Sequence, residues 1–229
     1  MTKAADKIIV ALDVPTRDRA LALVKELAGT ISFYKVGLQL YTADGPAIVR
    51  ELLAQGAKVF LDLKLNDIPN TVAGAVKSAA ALGVQMLTIH LGGGAEMIRA
   101  AVAASTEKMS ILGVTVLTSA NAETLRETGI NDQVPNQVLR LAKLGAANGV
   151  RAIVASPQEI SGLRSELGDQ IKIVTPGVRP GWSEAGDQKR TMTPRDAIAA
   201  GANYLVIGRP ITAHPSPREA ITKILAELE

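Results

Sequence analysis

Eight short apolar segments recur along the chain, and segments with helical spacing of apolar and charged residues lie between them. Strands that are apolar on both faces and are followed by covering helices are typical of a parallel α/β sheet. Eight such units without an obvious linker predict a TIM (β/α)8 barrel in a single domain, 1–229, and a doubly wound open sheet is the alternative. The predicted strands are 7–13, 33–38, 58–65, 86–91, 110–117, 151–155, 171–176 and 203–208, and the predicted helices are 17–28, 46–55, 71–82, 95–105, 134–147, 157–167, 195–200 and 216–228.

The composition argues against several classes of function. The 229 residues contain no cysteine, which excludes disulfides, thiol nucleophiles and thiolate metal sites. No segment approaches the roughly 18 apolar residues of a membrane span, and the first residues lack the apolar run of a signal peptide, so we expect a cytoplasmic protein without membrane association. A net charge of +3 without a basic run, and only one Trp, three Tyr and two Phe, give no support for a nucleic-acid partner.

The third predicted strand carries charges inside an apolar segment. Because side chains alternate along a strand, Asp62 and Lys64 share one face, and Asp67 follows just past the strand end. Burying an ion costs several kcal/mol unless it is paired, so the two charges either neutralise each other or face a polar cavity. A buried ion pair that only fixes strand register is the structural alternative.

Polar residues stand at the carboxyl ends of the predicted strands, where the active site of a TIM barrel forms. Several have structural alternatives: Asp13 could cap a turn, His90 could be a core histidine, and Ser156 before Pro157 is favoured as a helix N-cap. We expect one barrel mouth to collect them. The residues are Asp13, Lys35, Asp62, Lys64, Asp67, His90, Thr118, Ser119, Ser156, the stretch 175–179, Gly208 and Arg209.

The C-terminal third predicts a phosphate site. Gly208 allows close backbone approach and Arg209 offers a planar fork of donors, in the region where barrels commonly bind phosphate. The long polar loop 179–191 could close over a ligand. A metal site is not predicted, because His90 and His214 are far apart in sequence and no dense carboxylate cluster accompanies them.

The pattern Asp62-x-Lys64-x-x-Asp67, with its companions along nearly the whole chain, resembles the orotidine 5′-phosphate decarboxylase family. The resemblance implies a homodimeric TIM barrel that converts orotidine 5′-phosphate to uridine 5′-phosphate and CO2 without a cofactor or metal, as the last step of UMP synthesis. It implies that Lys35, Asp62, Lys64 and Asp67 form an alternating charge network in which Lys64 is the proton donor. The other implied residues are Asp13 for the ribose with Lys35, Thr118 for the pyrimidine, Arg179, Gln188, Gly208 and Arg209 for the phosphate, Ile68 as a substrate contact, and Thr71, which with Asp67 reaches the neighbouring subunit's site.

Two other functions fit parts of the pattern. A related group of sugar-phosphate decarboxylases and hexulose-phosphate synthases has a similar motif, but it uses magnesium and a glutamate on the second strand. The chain has Lys35 on that strand, and a lysine repels a divalent cation. The second alternative is a catalytically silent phosphate-binding protein on the same scaffold, because fold does not dictate activity.

Overall fold

Eight parallel strands close into a barrel. The computed structural model describes residues 4–183 and 191–228. Each strand pairs with its neighbours in chain order, and the first also pairs with the eighth, so the predicted TIM barrel is confirmed and the open sheet is excluded. The strands are β1 (Ile8–Ala11), β2 (Phe33–Gly37), β3 (Lys58–Leu65), β4 (Met86–His90), β5 (Ser110–Val114), β6 (Ala152–Val154), β7 (Lys172–Pro176) and β8 (Tyr204–Ile207).

Helices surround the strands, and all eight predicted helical segments are present. Across residues 4–183 and 191–228, no helix is both long enough and apolar enough to cross a membrane. The α-helices are α1 (Arg17–Leu27), α2 (Leu38–Asp44), α3 (Pro46–Ala54), α4 (Pro69–Leu82), α5 (Gly94–Ala104), α6 (Ala122–Glu127), α7 (Val134–Ala147), α8 (Ile160–Leu167), α9 (Pro194–Ala199), α10 (Arg209–Thr212) and α11 (Pro217–Glu227). Short 3-10 helices cover Ala4–Lys7, Leu91–Gly93 and Pro157–Glu159.

Local sequence explains where many helices begin. The Thr16 hydroxyl accepts a hydrogen bond from the backbone N–H of Arg19 and caps α1. Proline at the first helical position starts α4, α9 and α11, where its missing N–H costs nothing. Ser156 precedes a 3-10 turn that begins at Pro157, so it stands where a cap was predicted. The sequence reading missed α2, α6 and α10, which are seven, six and four residues long.

The core has two layers. Outward-facing strand residues such as Val10 pack against the helices in the larger cluster. Inward-facing residues such as Ile9, Phe33 and Phe60 fill the barrel itself and are buried. The barrel below its mouth is therefore a packed core and no channel, which leaves the carboxyl ends of the strands as the place for a ligand.

Strand β3 is irregular where it carries its charges. Its register against β4 shifts between Leu61, opposite Leu87, and Leu65, opposite Ile89. Within the shift, Lys64 has a φ of 52°, and it is the one non-glycine residue in the described ranges with a positive φ. An irregularity of this kind re-aims side chains beside active sites. Both charged side chains still reach the same cavity, although the strand is not the uniform pleat that was predicted.

Candidate active site

The carboxyl ends of the strands surround a cavity of about 410 Å³. Apolar side chains such as Phe60 and Val154 form part of its wall, and charged side chains from several strands form the rest. The structure brings ten of the sequence-predicted residues together in its lining, namely Asp13, Lys35, Asp62, Lys64, Thr118, Pro176, Gly177, Arg179, Gly208 and Arg209.

Four of these side chains form a row of alternating charges. The Lys64 ammonium contacts both carboxylate oxygens of Asp62 at 2.9 Å. The Lys35 ammonium lies 3.5 Å from Asp62 Oδ2 and 2.8 Å from Asp13 Oδ1. Within this chain the order is therefore Asp13, Lys35, Asp62, Lys64, and the row begins with the carboxylate that was predicted to bind ribose.

The row is buried at its centre and more open at both ends, where the side chain of Asp13 is 55% exposed. The side chains of Lys35 and Asp62 are 10% and 12% exposed, whereas that of Lys64 is 30% exposed. Burial works to raise the pKa of Asp62, but Lys35, Lys64 and a hydrogen bond from Thr88 outweigh it and hold that pKa below its usual range. Asp62 is therefore ionised at neutral pH and keeps Lys64 in place. Both predicted explanations hold: the charges pair, and they face a cavity.

His90, Ser119 and Ser156 do not line the cavity. Burial, and then the charge of Lys64, lower the pKa of His90, so its imidazole is neutral at pH 7. Ser119 is exposed, and the buried Ser156 hydroxyl has no hydrogen-bond partner among the described residues. For these three, the expectation that one mouth collects every polar strand end is wrong, because the barrel rim is wider than the cavity.

The far side of the cavity carries two like charges. Arg179 follows β7, and Arg209 begins α10 directly after Gly208. Burial, and then the positive charge of Arg209, lower the pKa of Arg179. The backbone N–H of Arg179 donates to the Met192 carbonyl at 3.0 Å, so the two stems of the predicted loop are paired. Two guanidinium groups that face one cavity are a favourable site for a phosphate.

Three predicted residues lie outside this cavity, two of them on the turn between β3 and α4 and the third, Thr71, in the first turn of α4. Asp67, Ile68 and Thr71 are exposed, and Ile68 keeps 67% of its surface in contact with solvent. The Asp67 carboxylate accepts a hydrogen bond from the backbone N–H of Ile68 at 2.7 Å. The fourth, Gln188, lies outside the described residues. Contact of Asp67 and Thr71 with a neighbouring subunit stays a prediction.

Sequence reasoning missed two residues of the site. Gly37 ends β2, and a Cβ atom there would lie 2.8 Å from both Asp13 Oδ1 and Lys35 Nζ. Only glycine leaves that ion pair undisturbed. Thr88 on β4 donates its hydroxyl proton to Asp62 and is fully buried. Its position two residues before His90 in an apolar strand was a signal, because a buried hydroxyl usually has a partner.

The arrangement is suited to anions. The cavity offers an ammonium at one end and two guanidinium groups at the other, and Lys64 can also give up a proton. In residues 4–183 and 191–228, no three His, Asp or Glu side chains are grouped so that they could hold a metal ion.

Comparison with known proteins gives a consistent result. The model of the family described as orotidine 5′-phosphate decarboxylase / HUMPS matches residues 6–224. The chain is 50% identical to orotidine 5′-phosphate decarboxylase of Moorella thermoacetica, over 99% of this chain and 93% of that protein. It is 47% identical to the enzyme of the same name from Heliobacterium modesticaldum, over 99% and 97%. The crystal structure of orotidine 5′-phosphate decarboxylase from Lactobacillus acidophilus superimposes with a TM-score of 0.86 at 35% identity, over 97% and 98% of the chains.

Proposed function

Since the chain belongs to the orotidine 5′-phosphate decarboxylase / HUMPS family, we propose that it is a carboxy-lyase that converts orotidine 5′-phosphate to uridine 5′-phosphate and CO2. This reaction is the last step of UMP synthesis. The observation that carries the proposal is the Lys64 ammonium, held by both oxygens of an ionised Asp62 at the edge of a cavity whose opposite side presents two arginines.

Lys64 supplies the chemistry. When the bond to the carboxylate breaks, its electron pair stays on the ring carbon, and CO2 leaves. A carbanion on a pyrimidine ring is poorly delocalised, so an ammonium already in position stabilises the developing charge and then transfers a proton to that carbon. Lys64 becomes neutral and regains its proton from solvent. No cofactor takes part in this sequence.

Asp62 orients the proton donor. Its carboxylate holds the Lys64 ammonium in place at the edge of the cavity. It also repels a substrate carboxylate placed beside it, which would destabilise the ground state, although we give this effect second place behind stabilisation of the carbanion.

The remaining residues bind the nucleotide at its two ends. Asp13 and Lys35 hold the ribose hydroxyls, and Thr118 lies on the pyrimidine side. Arg179, Gln188, Gly208 and Arg209 bind the phosphate. Phosphate binding far from the reacting carbon helps to hold the substrate against the charged row, which is how remote binding energy assists a reaction.

We also propose that the working enzyme is a homodimer in which Asp67 and Thr71 enter the neighbouring subunit's site. Their exposure at the rim supports this, together with the exposed apolar side chains of Ile68 and Leu38 beside the barrel mouth. Mixing Asp67→Asn with Lys64→Ala protomers tests it. A hybrid dimer regains one intact site, so about a quarter of wild-type activity is expected at random pairing. No recovery, with hybrid dimers shown to form, would refute the shared site.

An absorbance assay with orotidine 5′-phosphate, with and without a chelator, tests the main proposal. We expect the same turnover under both conditions. Loss of turnover under chelation would favour the magnesium-dependent sugar-phosphate chemistry of related enzymes, against which the Lys35–Asp13 ion pair stands. No turnover under any condition would favour a silent phosphate-binding scaffold.

A further inference from the structure

Thr88 is a buried hydroxyl in direct contact with the charged row, and the reaction outlined above gives it no role. We propose that Thr88 is a positioning residue whose hydroxyl locks the backbone of Lys64 to the carboxylate of Asp62. The inference rests on the proposed role of Lys64 as proton donor.

The hydrogen bonds fix the direction of the Thr88 hydroxyl. The backbone N–H of Lys64 donates to Thr88 Oγ1 at 2.8 Å. Since an N–H group can only donate, the oxygen of Thr88 accepts there, and its single proton is directed to Asp62 Oδ1 at 2.9 Å. The hydroxyl therefore has no rotational choice left, and its bond to the carboxylate is of the stronger, charge-assisted kind.

These contacts close a ring that begins and ends at Lys64. From the Lys64 backbone the ring runs through Thr88 to Asp62 Oδ1, and from Asp62 it returns through the Lys64 ammonium. A lysine side chain has considerable rotamer freedom, which is lost when the side chain is held in one place. Because the ring ties both ends of Lys64 to one carboxylate, the ammonium is confined before substrate arrives.

The irregularity in β3 explains why a side chain is needed at this point. Thr88 lies between Leu87 and Ile89, the two β4 residues that flank the register shift. The Thr88 hydroxyl takes the Lys64 N–H that a regular ladder would direct to a backbone carbonyl. Lys64 itself holds a left-handed conformation, φ 52°, which a non-glycine residue adopts only when its surroundings enforce it. The Thr88 contact contributes to that enforcement.

Thr175 on β7 shows that a buried strand threonine here does not require such partners. It is as fully buried as Thr88, yet its hydroxyl has no hydrogen-bond partner among the described residues. It does not line the cavity, so the expectation that the whole stretch 175–179 lies at the mouth is wrong for Thr175, whose side chain is packed inside the fold. Thr175→Val therefore makes the same chemical change as Thr88→Val at a site without the ring, and it serves as the matched control.

The test compares Thr88→Val, Thr88→Ser and Thr175→Val by steady-state decarboxylation of orotidine 5′-phosphate. We expect Thr88→Val to lower kcat about 10- to 100-fold with little change in KM, because the donor is loosened while phosphate binding is untouched. Thr88→Ser keeps the hydroxyl and should stay within about threefold of wild type, and Thr175→Val should be unchanged. A merely structural role would not separate kcat from KM or be rescued by serine.

Wild-type kcat in Thr88→Val, or an equal loss in Thr88→Ser, would overturn the inference. Should Thr88→Val fail to fold, Thr88→Cys, with a weakly bonding thiol of similar volume, provides the comparison, and a kcat equal to that of Thr88→Ser would overturn it. An inactive wild-type protein would instead refute the proposed function, so the two failures are distinguishable.

Discussion

The two sides of the cavity arrange their charges in opposite ways. Around β2 and β3, each charge has an opposite charge beside it within the protein, at 2.8 to 3.5 Å. Around β7 and β8, Arg179 and Arg209 bring like charges towards each other, and the pKa of Arg179 is lowered by burial and by this neighbour. The geometry of the first side is therefore fixed before substrate binds. On the second side, a bound anion lowers the repulsion between the two guanidinium groups.

This contrast separates catalysis from substrate binding. A row of compensated charges keeps its geometry whether or not substrate is present, and such preorganisation is the basis of electrostatic catalysis. A phosphate lowers the repulsion between two like charges, so the interaction of the two arginines with it contributes to substrate affinity. Mutations of Asp62 and Lys64 should therefore act mainly on kcat, and mutations of Arg179 and Arg209 mainly on KM.

The largest effect is expected for Lys64→Ala. Removing both the proton donor and the charge that stabilises the carbanion should lower kcat about 10⁴-fold or more. The absorbance assay measures the loss, and circular dichroism checks the fold. Lys58→Ala, which removes an exposed lysine at the other end of β3, is the control and should be neutral. Near-wild-type turnover of Lys64→Ala would show that Lys64 is not the proton donor.

Arg209→Ala should weaken phosphate binding on the arginine side of the cavity. A guanidinium group can make two charge-assisted hydrogen bonds to a phosphate, so kcat/KM should fall about 100-fold or more, chiefly through KM. Arg50→Ala removes an exposed arginine on α3 and is the control. If Arg209→Ala lowered kcat and left KM unchanged, the division of labour between the two sides would be wrong.

Gly37→Ala should disturb the ion-paired side, around β2 and β3, without removing a charge. The new methyl group needs the space within 2.8 Å of Asp13 Oδ1 and Lys35 Nζ, so that ion pair must shift. We expect kcat/KM to fall about 10-fold, since small misplacements in an active site are costly. Gly162→Ala in α8, where a Cβ meets nothing within 4 Å, is the matched control. Equal activity of the two variants would contradict this reading of Gly37.

The smallest effect concerns stability in acid. Because the pKa of Asp62 is lowered in the folded protein, its ionised form contributes stability that is fully present above its unfolded pKa of about 4 and is lost as pH falls through the folded value. The difference in unfolding free energy between wild type and Asp62→Asn should therefore be largest near neutral pH and shrink below pH ~4. Urea unfolding at several pH values measures it, and a difference that is constant with pH would refute the charge pairing.

Most of the fold could be predicted because the strands are short, apolar and regularly spaced. Period and composition locate each strand and its following helix. The helices α2 and α10 were missed for a physical reason: they are only seven and four residues long. Helix α2 begins directly after β2, and α10 begins one residue after β8, so no polar linker or long apolar period marks them. Helix α6 is short as well, and the cap by Asn121 was its local signal.

The site was predictable where charge and environment conflict. Asp62 and Lys64 stand out because ions in an apolar strand need an explanation. Gly37 does not stand out, since a glycine that makes room for an ion pair looks like any turn glycine. Thr88 gives a weaker signal than an ion does, because a hydroxyl in an apolar strand predicts a hydrogen bond without indicating that Asp62 is the partner. The register shift at Lys64 was also invisible, because it depends on how β3 pairs with β4 and so on contacts distant in sequence.

The filled interior of the barrel has a kinetic consequence. The side chains of Phe33, Phe60 and their neighbours fill the space beneath the site. In the described barrel, a nucleotide can therefore enter only from the end at which the strands have their carboxyl termini. Substrate and uridine 5′-phosphate use the same opening, so the product must dissociate before the next substrate molecule can bind. Accumulated product should accordingly compete with substrate for entry and raise its apparent KM, while leaving the maximal velocity intact.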